Sequence, residues 1–223
     1  MRIHFLVEGL SEQAFLERWI PRFLPPQHSF KIIPHRGKGK IPGDPSKKPD
    51  PKRQGLLDQL PAKLRAYGKE LRPETDRILV LVDLDHNACP DLKTRMLDLL
   101  NYCSPPPTVL FRIAIEETEA FYLGDKLAIR NAFPKCKLSK RDSYIQDSIC
   151  GTWELFREVI GETGEDKVAW AKQIGPHLTT RWRGIQGNLS ESFRQLCRGI
   201  LILAGEPAGR LIRRTSVPNQ RVK

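Results

Sequence analysis

No run of eighteen consecutive apolar residues occurs in this sequence, which excludes a membrane-spanning helix on hydropathy grounds. The first residues also lack a basic segment, an apolar core and a small-residue cleavage site, so the expected location is the cytoplasm. Cysteine is scarce and unpatterned. The five thiols (Cys89, Cys103, Cys136, Cys150, Cys197) form no Cys-x-x-Cys pair, and an odd, scattered set fits reduced side chains rather than a disulfide framework or a zinc site. Acidic charge is in the minority, with 26 Asp and Glu against 37 Lys and Arg. The net charge of +11 points to a polyanionic partner, most simply nucleic acid. A length of 223 residues allows one well-buried domain with an appendage, or two small ones.

The basic residues are clustered. Residues 35–53 hold Arg36, Lys38, Lys40, Lys47, Lys48, Lys52 and Arg53 among many Pro and Gly, which reads as a mobile basic loop; Arg36, Lys38, Lys40, Lys47 and Lys48 are its candidate nucleic-acid contacts. A second basic run extends from Arg194 to Lys223, and residues 211–223 read as a disordered tail. Between the two runs, residues 74–130 carry ten acids against six bases. A basic surface could serve solubility alone, but two basic rims around an acidic centre suit a phosphodiester substrate and its cation.

Strand and helix signals alternate along the first part of the chain. Strands are expected at 2–7, 29–34, 77–82 and 108–115, and helices near 11–24, 55–69, 90–101 and 119–131. The run from Ile78 to Val82 is apolar throughout, as in a parallel strand covered on both faces. The pattern predicts an α/β fold, doubly wound on a mainly parallel sheet, over residues 1–134. Helices at 152–161, 165–178 and 190–204 then form a helical extension over 135–210, with Trp153, Phe156, Trp170, Ile174, Phe193 and Ile200 as its apolar faces.

Acids stand where three of these strands stop. "LVEGLSE" sets Glu8 after the first strand and Glu12 in the first turn of the next helix, with Ser11 as the expected N-cap; the helix dipole alone would account for Glu12 but not for Glu8. "LVLVDLDHNACP" places Asp83 and Asp85 after the central strand. In extended chain both face one side and could share a cation, with Leu84 turned into the core and His86 an ordinary turn residue. An EF-hand beginning at Asp83 is excluded, because its sixth and twelfth positions are Ala88 and Thr94. An aspartyl phosphatase would want Thr or Val where Asn87 stands. A solvated acidic turn is the main competitor for this pair taken alone. "FRIAIEETEAFYLGD" then delivers Glu116, Glu117, Glu119 and Asp125, with Glu117 and Glu119 expected to share a side and Glu116 to face away. Three strand ends bearing carboxylates are best explained by a shared site at the carboxyl edge of the sheet, holding hard Mg²⁺ or Mn²⁺, as one or two ions, through oxygen ligands.

These residues resemble a known family. Glu after the first strand, Asp-x-Asp after a later one and further acids beyond are similar to the TOPRIM domain of topoisomerases, primases and the OLD (overcoming lysogenization defect) nucleases. "VEGLSE" is similar to the OLD-type opening, "EETEAFYLGD" to a stretch of small stand-alone bacterial TOPRIM-like proteins, and "NLSESF" at 188–193 is a weaker match. The resemblance covers roughly residues 1–130. It implies a TOPRIM-like core and a metal-dependent endonuclease acting on DNA or RNA, tRNA among the candidates. Glu8, Asp83 and Asp85 would hold one cation; Glu12, Glu117 and Glu119 would serve a second or position water; and a late lysine, Lys172 or Lys167, would assist. It further implies an effector of anti-phage defence working with an ATPase partner, with homo-oligomerisation left open and no membrane involved. Topoisomerase and primase activities are not expected, since no second large domain and no zinc ribbon accompany the core. The runner-up is a non-catalytic module that binds nucleic acid or docks on an ATPase and regulates it.

Overall fold

The computed structural model describes residues 1–85, 88–148, 151–180 and 187–207. His86, Cys150 and the basic tail at 211–223 lie outside them. Four strands, β1 (Arg2–Val7), β2 (Ser29–Pro34), β3 (Asp76–Asp83) and β4 (Val109–Ala114), form one sheet in the order β2-β1-β3-β4. Every pairing is parallel. The connections are helical: α1 (Leu10–Phe23), α2 (Leu56–Glu70), and α3 (Cys89–Asp98), which tightens into a 3₁₀ turn over Leu99–Tyr102.

Strand periodicity assigns the two faces. Ile3, Phe5, Val7, Leu79, Leu81 and Ala114 enter one core, whereas Leu6, Ile78, Val80, Val82 and Leu84 enter the other with α2 and α3. Helices therefore cover both sides, and the fold is a doubly wound α/β sheet. This is why the Ile78 to Val82 run has no polar alternation.

The first face is also where the chain beyond β4 packs. It continues through α4 (Glu119–Leu123), α5 (Lys126–Ala132), α6 (Thr152–Ile160), α7 (Lys167–Ile174) and α8 (Glu191–Ala204). α7 lies along α1, and α8 lies across β4, β3 and β1. The aromatic spacing of α1 serves this layer: Trp19 stacks on Phe23 with ring centroids 4.5 Å apart and meets Phe193 of α8 at 5.1 Å. Phe121 lies 5.2 Å from Phe193. One apolar cluster thus runs unbroken from the sheet into α6, α7 and α8.

Two local expectations change. The helix expected over 119–131 is divided, because Asp125 folds its carboxylate back on the Ala128 N–H (2.9 Å) to cap α5, and also accepts the Thr179 N–H at 2.8 Å. Ser11 is not the N-cap of α1. Gly9 holds that position, and the Ser11 hydroxyl donates to Glu12 instead.

Candidate metal centre at the carboxyl edge

Glu8 leaves β1 and crosses to β3, where its Oε1 accepts the Asp83 backbone N–H at 2.8 Å. The two central strand ends are thereby joined through a carboxylate. Glu12, in the first turn of α1, is buried at 6% exposure and acts electrostatically on Asp83. Gly9 gives the Glu12 carboxylate room, since a Cβ there would stand a tight 3.3 Å from Glu12 Oε2. The Thr118 hydroxyl lies 2.9 Å from Asp83 Oδ1 and 3.5 Å from Glu12 Oε1; having one proton, it bonds Asp83.

Asp83 and Asp85 part company. Asp85 adopts φ +48 and its N–H donates to the carbonyl of Glu116, itself at φ +60. These paired left-handed residues tie the ends of β3 and β4 together at a cost of order 1 kcal/mol each. The chain is no longer extended at this point, so the side chains do not share a side: Asp83 faces Thr118, and Asp85 pairs with Lys38 at 2.8 Å.

The three glutamates after β4 take different roles. Glu116 does face away: it accepts the Gly151 N–H at 2.7 Å, the Thr152 N–H at 3.2 Å and the Thr152 hydroxyl, anchoring the start of α6. Glu117 accepts the Trp153 N–H and the Lys167 ammonium, each at 3.2 Å. Glu119 is buried beside the cluster at 3% exposure. Sequence reasoning missed Tyr122, one turn further along α4. Its side chain is fully buried, its hydroxyl meets no hydrogen-bond partner among the described residues, and the carboxylates of Glu119, Glu12 and Asp83 act on it electrostatically.

Crowding shows in proton affinity. Burial pushes the Glu8 carboxyl up to about 8 against the opposing Asp83 N–H, with repulsion from Glu12 adding to it. Burial likewise raises Glu119 to about 7 despite Lys167, and lifts Asp83 well above the carboxylate range, helped by Glu8, Glu12 and Glu119. Glu8 and Glu119 therefore keep protons near neutrality unless a cation takes their place. As the side chains stand, no three acids, histidines or cysteines among the described residues close round a common point. The fit to Mg²⁺ or Mn²⁺ therefore lies in donor type, in mutual repulsion among buried carboxylates and in the Tyr122 hydroxyl, rather than in a preformed coordination shell.

The lysines correct two sequence expectations. Lys172 lies on the exposed face of α7 and takes no part. Lys167 faces the acids: its ammonium also sits 5.0 Å from the Trp153 ring centroid, and Glu119, Glu117 and Asp83 raise its pKa against the effect of burial. Helical spacing carried the signal, since Lys167 is three and four residues from buried Trp170 and Ala171 whereas Lys172 is off that stripe. Lys38 is turned inward, its side chain only 13% exposed, while Arg36, Lys40, Lys47 and Lys48 are exposed as a rim. The base of this loop is not slack, because the first N–H groups of α2, from Leu56 and Leu57, bond the carbonyls of Gly37 and Lys38 at 2.8 and 2.7 Å.

Fold and site together define a doubly wound α/β protein with a buried carboxylate cluster at the carboxyl edge of a parallel sheet. A family model described as a domain of unknown function (DUF4276) matches residues 7–148, almost two thirds of the chain, so the protein belongs to that family. The match takes in every cluster residue except Lys167. Neither curated proteins nor solved structures give a significant match to the chain. No helix among the described residues is long and apolar enough to cross a membrane.

Proposed function

We propose that this protein is a divalent-metal-dependent endonuclease that hydrolyses phosphodiester bonds in DNA or RNA. The observation that carries the reading is that Glu8, Glu12, Asp83 and Glu119, delivered by three strand ends, lie buried within electrostatic reach of one another, with burial raising the proton affinity of Glu8, Asp83 and Glu119. These four would hold Mg²⁺ or Mn²⁺. A bound cation would supply Lewis-acid stabilisation of a phosphoryl oxygen and a lowered pKa for water. The remaining work falls to the chain. Tyr122 can hold a buried water through its hydroxyl, which has no partner among the described residues, and Lys167 offsets the charge that grows on the phosphate as Glu117 fixes its ammonium. The exposed Arg36, Lys40, Lys47 and Lys48 suit the nucleic-acid backbone.

The resemblance to TOPRIM and OLD-type sequences supports the same reaction and extends the proposal to a cytoplasmic effector of anti-phage defence with an ATPase partner. A second reading, a non-catalytic module that binds nucleic acid or regulates an ATPase, is favoured by two observations: Lys38 and Lys167 already pair with Asp85 and Glu117, and no three acids close round one point among the described residues.

Asp83→Asn keeps shape and removes charge, and separates the two. Assayed with Mg²⁺ or Mn²⁺ on DNA, RNA and tRNA substrates, with and without the ATPase partner, cleavage should fall by about 10²-fold or more while binding persists. Equal cleavage by both proteins, or cleavage that survives excess chelator, would leave the regulatory module as the better account.

A further inference from the structure

Lys38 does more than border the site. Its ammonium donates to the carboxylate of Asp85 at 2.8 Å, to the carbonyl of Leu84 at 3.1 Å and to the carbonyl of Asp83. Two carbonyls and a carboxylate make a hard-oxygen nest of the type that binds a metal cation, and here a lysine fills it. The nest begins at the carbonyl of Asp83 itself, and the Lys38 ammonium acts electrostatically on Glu8, so whatever positive charge sits there adjoins an ion held by the cluster.

The loop that carries Lys38 is built to put it there. Gly37 and Gly39 on either side adopt φ +82 and +66, a region other residues rarely enter. The Gly37 N–H donates to the carbonyl of Glu8 at 2.8 Å, and the two carbonyls of Gly37 and Lys38 are taken by the start of α2. A side chain at Gly39 would run into the Asp58 carboxylate. The loop is thus clamped between a cluster residue's own backbone and a helix N-terminus, and it turns the Lys38 side chain inward.

We propose that the Lys38 ammonium occupies the position of a second divalent ion, so that this centre takes up one cation and receives its other positive charge from the chain. The inference rests on the metal-centre reading above. Asp85 then serves Lys38 rather than a metal, and the fixed ammonium repels any second ion from the nest.

Titration calorimetry of the intact protein with Mn²⁺ reads the stoichiometry directly, without reference to activity. Wild type should bind one ion, Lys38→Met should bind two as the nest is vacated, and Lys38→Met with Asp85→Asn should return to one. Asp85→Asn alone should still bind one, which keeps the test valid if Lys38→Met does not fold. Two ions in wild type, one in folded Lys38→Met, or loss of the ion in Asp85→Asn would each overturn the assignment of Lys38 while leaving a metal centre in place. No Mn²⁺ uptake by wild type, or uptake by Asp83→Asn equal to it, would instead remove the metal centre and this inference with it.

Discussion

Lys167 and Lys172 differ by one and a half helical turns and by everything the site could use. Lys167 is half-buried, bonded to Glu117 and under the influence of Glu119 and Asp83; Lys172 is in solvent. On the nuclease proposal, Lys167→Met should therefore lower cleavage by about 10²-fold, the scale of losing one charge aimed at a transition state, with Lys172→Met leaving it unchanged. Single-turnover rates at saturating Mn²⁺ check both. At this scale legibility followed locality. Glu8, Asp83 and Glu119 were readable because each lies at a strand end or just beyond it, a relation visible in a few residues of sequence. The inward turn of Lys38 was not, since its partners are 45 to 47 residues away and a lysine among prolines and glycines has every local mark of a solvated one. Tyr122 was hidden for a different reason: it sits in an apolar run, and only packing reveals that its hydroxyl faces carboxylates.

Elements were more legible than side chains. Hydrophobic periodicity is a property of each segment alone, so the four strands and most helices fall within a residue or two of expectation. What periodicity did not convey was the break at Asp125, which depends on that carboxylate finding the N–H groups of Ala128 and of Thr179 more than fifty residues on. Nor did it show how fully the late helices complete the core. α8 covers β4, β3 and β1, and Phe193 fills a fully buried place against Trp19 and Phe121. Phe193→Ala should accordingly cost about 3–5 kcal/mol, the range for an aromatic side chain removed from a packed core. Urea unfolding monitored by tryptophan fluorescence measures this, and a loss below about 1 kcal/mol would mean that α8 is peripheral to the fold.

The whole molecule carries an electrostatic consequence of its site. Glu8 and Glu119 have folded-state pKa values of about 8 and about 7, above the ordinary 4.5, so the native protein holds protons that the unfolded chain releases. Stability from these groups is fully present below the ordinary value and is lost as pH rises through about 7 to 8. Asp76 works in the opposite sense. Burial would raise it, but hydrogen bonds from His4, Arg2 and Thr75 hold it well below the carboxylate range, so its contribution disappears only in acid. In chelator, the melting temperature should therefore decline between about pH 5 and pH 8, and Mn²⁺ should raise it most at the alkaline end, where it replaces protons the site is losing. Thermal melts across that range, with and without Mn²⁺, check the sign. A melting temperature that climbs steadily to pH 8 in chelator would show that the cluster is not proton-rich when folded.

The central claim is that the acids at the carboxyl edge of this sheet hold a divalent cation. A crystal of the full chain soaked in Mn²⁺, with anomalous scattering recorded near the manganese edge, tests it most directly. The account predicts one anomalous peak among the carboxylates of Glu8, Glu12, Asp83 and Glu119, with oxygen contacts of about 2.0–2.6 Å. No peak there at saturating Mn²⁺, or peaks confined to exposed carboxylates such as Asp44 and Asp50, would contradict it.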